Sequence, residues 1–161
     1  MSEFVIRDAR ESDFARIIEI NRAFEHFTSQ MEMDKVRHLD TESCYHRVVE
    51  SGDEIAAFLI AMAPGADYKS PNFVWFSEQY DDFVYVDRIV IDPAFHRRGL
   101  GALLYRDLFD FATTRGCQSV TCEYYTKPEN PVSAAFHQRF GFEEVGTLVL
   151  DGGAKEVSLQ R

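Results

Sequence analysis

The sequence predicts an α/β domain, a mixed sheet with helices flanking it, and three observations carry the prediction. Segments alternating every two residues and segments with helical periodicity succeed one another as βα(α)ββ–βαβα–ββ. The strongest strand pattern, residues 83–91, runs straight into a glycine-bearing turn and a long helical pattern at 99–115. The 161 residues, 45% hydrophobic and 27% charged, suit one domain, 1–161, with a single core and no need for crosslinks.

Taken in order, residues 3–7 alternate, with Phe4 and Ile6 on one face, and read as a first strand. Ser12 can cap a helix running to about His26, with Phe14, Ile17, Ile18 and Phe24 as its apolar stripe. A weaker helical pattern covers 31–39. Residues 44–50 alternate, Ser51-Gly52-Asp53 turns the chain, and 54–62 reads as a mostly buried strand. From Pro64 to about Asp82 the pattern is irregular, holding Gly65, Pro71 and the aromatics Phe73, Trp75, Phe76 and Tyr80. A stretch of that length is a functional flap or houses a short helix. After 83–91, ended by Asp92-Pro93, Leu100, Leu103, Leu104, Leu108, Phe111 and Ala112 fall at helical spacing until Gly116. Residues 119–125 form a strand and 131–140 a short helix stopped by Gly141. Residues 143–150 and 154–159 close the chain as a hairpin across Asp151-Gly152-Gly153.

Composition narrows the function classes. Seventeen Lys+Arg against 27 Asp+Glu give a net charge of −10, which repels nucleic acid and anionic membranes and attracts a cationic partner such as an amine. The acidic residues Glu78, Asp81 and Asp82, beside the aromatics at 73–80, suit such an acceptor. Cys44, Cys117 and Cys122 are an odd set without CxxC spacing, and His26, His38 and His46 lie at no metal-ligand spacing, so no metal is expected. Early charges leave no room for a signal peptide, and no apolar run approaches a membrane span. The expectation is a reduced, cytoplasmic protein.

The chemistry-bearing stretch is Asp92-Pro93-Ala94-Phe95-His96-Arg97-Arg98-Gly99-Leu100-Gly101-Ala102. A buried strand entering a glycine turn and then a helix collects free backbone N–H groups at the positive helix end, a setting for phosphate oxygens. Gly99 and Gly101 would let a ligand approach the backbone, and Arg97 and Arg98 add positive charge. No Walker loop is present, and Leu104 stands where a dinucleotide fingerprint needs its last glycine. Alone, the turn reads equally well as an ordinary helix entry with solvated arginines.

This stretch resembles the acyl-CoA signature [Q/R]-x-x-G-x-[G/A] of the GNAT superfamily of N-acetyltransferases, and Asn130-x-x-Ser133-x-x-Phe136-His137-x-x-x-Gly141-Phe142 resembles that family's second signature. The element order matches from first strand to closing hairpin. The resemblance implies a splay between strands 83–91 and 119–125 holding acetyl-CoA as co-substrate. Main-chain groups of Ile89, Val90 and Ile91 would then lie along the pantetheine, His96 to Ala102 around the pyrophosphate, and Asn130, Ser133 and Phe136 beside the arm. His96 departs from the usual Gln/Arg.

Transfer of an acetyl group to an amine needs a neutral amine, a donor for the carbonyl oxygen and a proton for the leaving thiolate. Backbone at or near Ile89 can be the oxyanion donor. His137 stands where many family members carry a thiolate-protonating Tyr, and it reads equally as an acid or as a packing residue. Glu123 is similar in placement to a base of the ribosomal-protein N-terminal acetyltransferases. Tyr85 and Asp87 stand four and two residues before Ile89, on one strand face by alternation; Asp87-Arg88 also reads as a structural ion pair. Cys122 reads as a buried, inert thiol. The expected activity is direct transfer to a small amine, an amino acid or a protein N-terminus, with homodimerisation left open. The rival is a non-catalytic acyl-CoA-binding or regulatory module on the same fold.

Overall fold

Residues 54–62, EIAAFLIAM, carry no charge after Glu54 and can be covered on both faces, which makes them the centre of a sheet rather than its edge. A computed structural model, describing residues 4–25 and 28–161, puts them there. Seven strands, β1 (Phe4–Asp8), β2 (Tyr45–Ser51), β3 (Glu54–Met62), β4 (Val84–Ile91), β5 (Val120–Lys127), β6 (Glu144–Leu150) and β7 (Lys155–Gln160), form one sheet in the order β1-β2-β3-β4-β5-β7-β6. Among the described residues five α-helices cover it: α1 (Phe14–Arg22), α2 (Met33–Glu42), α3 (Pro71–Gln79), α4 (Leu100–Thr114) and α5 (Pro131–Arg139). None of them is long and apolar enough to cross a membrane.

The two faces carry separate cores. Phe14, Ile17 and Ile20 of α1, Val36 and Leu39 of α2, and Phe73 and Phe76 of α3 pack on Phe58, Ile60, Met62, Tyr85 and Val90. On the other face Leu100, Leu104, Tyr105 and Leu108 of α4 pack on Ala57, Leu59, Ala61, Val84 and Val86, with Phe136 and Phe140 of α5 and then Phe142 at the margin. The sheet is thus sandwiched, α1 to α3 on one side and α4 and α5 on the other.

Two irregularities in β4 shape the surface around it. Its parallel pairing with β5 lasts two rungs, Val84 with Val120 and Tyr85 with Thr121, and then the strands part. The splay expected from the sequence is therefore present. In addition, Arg88 pairs with Ile60 and Val86 with the next residue, Ala61, so Asp87 is an extra residue on the β4 side, a bulge. The bulge corrects the alternation argument: Tyr85 lies in the α1–α3 core, whereas Ile89 and Ile91 pack with the α4 core.

The irregular stretch at 64–82 houses a helix, α3, entered through Pro71. Its aromatic residues are apolar on more than one side, since Phe73 and Phe76 fill the core while Trp75 lies against Gly146 of β6, where a Cβ would meet the indole at 2.6 Å. No single stripe announces such a helix. The start of α1 also differs from expectation. Asp13, not Ser12, organises it, accepting two bonds from Arg7 and one from the Arg10 N–H inside a 3-10 turn. The helix ends at Arg22, and His26 lies outside the described residues.

Candidate active site

The opening between β4 and β5 is bounded by backbone with free hydrogen-bonding groups. Asp92 donates its N–H to the Ala56 carbonyl of β3, so alternation turns Val90 and Arg88 toward β3 and the main-chain groups of Ile89 and Ile91 toward the gap. His96 Nε2 sits 2.9 Å from the Ile91 carbonyl and covers it, its ring 5.6 Å from Phe24. Beyond it the chain takes positive φ at Arg97 (64°) and Gly99 (76°) and enters α4 without a side-chain cap. The first helical bond runs from the Leu103 N–H to the Gly99 carbonyl, and the N–H groups of Leu100, Gly101 and Ala102 find no partner among the described residues. Arg97 and Arg98 are exposed beside them, Arg98 over the Phe95 ring. Three amides, a helix dipole and two guanidiniums gather positive potential at the mouth of the opening. Gly101 has another reason to be glycine: a Cβ there would meet the Phe136 ring at 3.0 Å.

At the apex of the splay, on the α1–α3 face, Tyr85 donates its hydroxyl to both oxygens of Glu123 at 2.8 Å, and Asn72 Nδ2 donates to Oε1 at 2.9 Å. Burial pushes the Glu123 carboxyl up to about 8, with nearby Asp87 adding to the rise and the Tyr85 and Asn72 bonds and Arg88 opposing it. Asp87 accepts from the Tyr68 hydroxyl and from Arg88 Nε at 2.8 Å. Burial first, and then the neighbouring carboxylates, push the Tyr68 and Tyr85 hydroxyls up, so both act here as donors. The sequence-expected residues Tyr85, Asp87 and Glu123 are therefore brought together, and the Asp87–Arg88 ion pair is present as well.

A second cluster lies at the same apex on the opposite face. His137, 4% exposed, has Nδ1 2.7 Å from the Ser133 carbonyl and Nε2 2.6 Å from the Tyr105 hydroxyl. A carbonyl can only accept, so the ring proton sits on Nδ1 and Nε2 accepts from Tyr105. Burial lowers the His137 pKa, which keeps the ring neutral. Tyr105 and Cys122 are fully buried together, and burial raises both of their pKa values. Phe136 stacks on Tyr105 with ring centres 5.4 Å apart, and Asn130 caps α5 by accepting from the Ser133 N–H.

Other sequence candidates lie elsewhere. Asp82 holds the Gln118 N–H, and its carbonyl accepts from Ser119, before β4 and β5 begin, so Asp81 and Asp82 belong to the closed end of the sheet rather than the splay. His46 pairs with Asp40, and His38 meets the Asp67 carbonyl. Sequence reasoning missed Tyr68, Asn72 and Tyr105. Tyr68 and Asn72 reach their partners only through tertiary structure, and Tyr105 reads as one more apolar position of α4.

With this geometry established, the comparisons define the class. Residues 13–142 match the family model described as Acetyltransferase (GNAT) family. The chain belongs to the acetyltransferase (GNAT) family and is an enzyme of the N-acetyltransferase type. It is 30% identical over 105 residues, 60% of this chain and 68% of the relative, to aminoglycoside N(6')-acetyltransferase type 1 of Salmonella typhimurium. Among solved structures it resembles the Escherichia coli ribosomal-protein-S18-alanine N-acetyltransferase, with a TM-score of 0.73, 16% identity, and coverage of 98% of this chain and 92% of that one. Chaetomium thermophilum Naa20, solved with a bisubstrate analogue, gives a TM-score of 0.75 at 19% identity, covering 98% and 85%. At such identities the structural likeness speaks for the fold.

Proposed function

We propose that the protein transfers an acetyl group from acetyl-CoA to a primary amine by direct attack, with both substrates bound together. One observation carries the reading: the splay places free strand and helix-terminal backbone beside a carboxyl whose pKa is raised to about 8. The residues present fit acetyl-CoA. The amides of Leu100 to Ala102, with Arg97 and Arg98, suit its pyrophosphate, and the Ile89 main chain and the Ile91 N–H face its arm. When bound, the co-substrate supplies an activated thioester carbonyl.

This chain's residues supply the proton management. An alkylammonium with a pKa near 10 must lose a proton to become a nucleophile, and ionised Glu123, held by Tyr85 and Asn72, is the acceptor for it. A backbone N–H at or near Ile89 receives the carbonyl oxygen as charge develops. The thiolate's proton comes from the other face. Neutral His137 has no proton on Nε2 to give, so the thiolate takes its proton from the Tyr105 hydroxyl that His137 orients, and the second proton of the attacking nitrogen restores that hydroxyl as the intermediate collapses. The kinship with an aminoglycoside enzyme supports a small polyamine as the first acceptor to test, ahead of amino acids and peptide N-termini. The test is thiol release from acetyl-CoA across a panel of amines. Turnover with an amine is the expected result, whereas tight CoA binding with no turnover would return the reading to an acyl-CoA-binding module.

A further inference from the structure

Arg88 has no role in the chemistry above, yet it is 5% exposed and spends every arm of its guanidinium. Nε meets Asp87 at 2.8 Å, Nη1 meets the Asn21 side-chain oxygen at 3.2 Å and the Ser29 carbonyl at 3.0 Å, and Nη2 meets Ser29 Oγ at 2.8 Å. Lys35 of α2 donates to the same Ser29 Oγ at 2.7 Å. The bulge in β4 makes this arrangement available, because it puts the consecutive residues Asp87 and Arg88 on one face. A buried guanidinium is costly for stability compared with an apolar side chain of similar volume, so fold alone is a poor reason for it.

We propose that Arg88 is the positioning residue of the acceptor side. It holds Asp87 in place near Glu123 and ties Ser29, which precedes α2, and Asn21 of α1 to the β4 bulge. The amine acceptor would thus meet a fixed wall rather than a free loop. This rests on the reading of Glu123 as the proton acceptor. The groups facing Glu123 are Tyr85, Asp87 and Arg88 from β4, Asn72 from α3, Tyr68 from the preceding loop, and Tyr105 and Cys122 through the sheet. Among these, Asp87 and Arg88 form an ion pair, with Lys35 of α2 as a further positive charge near both, so removing Arg88 takes away the paired guanidinium that lowers Glu123 and moves Glu123 to a higher pKa.

The experiment compares Arg88→Gln and Arg88→Lys with the wild type. The Glu123 carboxyl is followed by carbon NMR, its signal assigned with Glu123→Gln, and acceptor and acetyl-CoA KM are measured separately. Arg88→Gln should raise the Glu123 midpoint by about one pH unit and the acceptor KM about tenfold, with acetyl-CoA KM unchanged. Arg88→Lys should restore the midpoint but only part of the KM, because an ammonium lacks the fork that reaches Asp87 and Ser29 together. Folded variants with a wild-type midpoint and wild-type acceptor KM would overturn the proposal. Should Arg88→Gln not fold, Ser29→Ala tests the clamp alone: a raised acceptor KM with an unmoved midpoint is expected, and an unchanged KM would sink it. A wild type that acetylates nothing would remove the enzyme reading, while the NMR titration would still decide whether Arg88 sets Glu123.

Discussion

Glu123 works against the stability of the fold that holds it, and the conflict is measurable. Its folded pKa is raised to about 8, while the unfolded chain titrates near the ordinary carboxylate value. Below the unfolded value both states are protonated and pH is without effect. As pH rises from there to about 8 the unfolded state alone has lost its proton, so stability falls across that window and levels off above it. Glu123→Gln should therefore melt at a similar temperature to the wild type near pH 4 and progressively higher than it toward pH 9, as thermal scans across pH would show. The same substitution should lower the chemical rate by about 10²-fold and remove the ascending limb centred near pH 8 from the rate profile. On the opposite face, Tyr105→Phe and His137→Ala should each slow single-turnover transfer by about 10²-fold while leaving acetyl-CoA affinity nearly unchanged. Lost affinity with an unchanged chemical step would make the pair a packing device. His137 could be singled out because the stretch around it resembles a known signature, and Glu123 because its placement on a strand is similar to that of a known glutamate. Asn72, 51 residues from Glu123, carries no such mark.

Among the elements, α4 and α5 meet at Gly101. The sequence suggests that this glycine clears space for a ligand, but its missing Cβ faces Phe136. Gly101→Leu should destabilise the ligand-free protein by about 1–3 kcal/mol through overpacking. Phe136→Ala in the same chain should recover part of that loss, a coupling that a double-mutant cycle of melting temperatures would reveal. Additive losses would show that the two positions do not touch in solution. The strand–turn–helix at 83–115 was legible for a physical reason: buried strands and amphipathic helices write their periodicity into the sequence. The β4 bulge was not. VYVDRIVI carries apolar residues on both faces, and its one interruption, Asp87-Arg88, reads as an ordinary ion pair, so the extra residue leaves no mark of its own in the pattern. Helix α3 was obscured in a related way, because its aromatics serve two neighbours at once.

At the scale of the molecule, the ligand should add to a sheet that is nearly two sheets. Acetyl-CoA at one hundred times its dissociation constant should stabilise the fold by roughly 2.7 kcal/mol, read as a rise in melting temperature. No rise with acetyl-CoA or CoA would withdraw the cofactor assignment. The acidic residues at 81 and 82, located at the closed end, are too far from the splay to steer the acceptor. Asp81→Asn with Asp82→Asn should leave acceptor kinetics unchanged at any salt concentration.

The two rungs joining β4 to β5 also matter for the chain as something that can be cut. Everything before Gly116 builds β1 to β4 with four helices, and everything after Cys117 builds β5, α5, β6 and β7, so the covalent link at 116–117 coincides with the weakest seam of the sheet. Polypeptides 1–116 and 117–161, produced separately and mixed, should reassemble across that seam, held by the α4 and α5 aromatics. Because the proposed acetyl-CoA site takes residues from both pieces, the co-substrate should act as their adhesive. Its addition at micromolar concentration should drive association, visible by sedimentation or by a split fluorescent label, and its removal should let the halves separate.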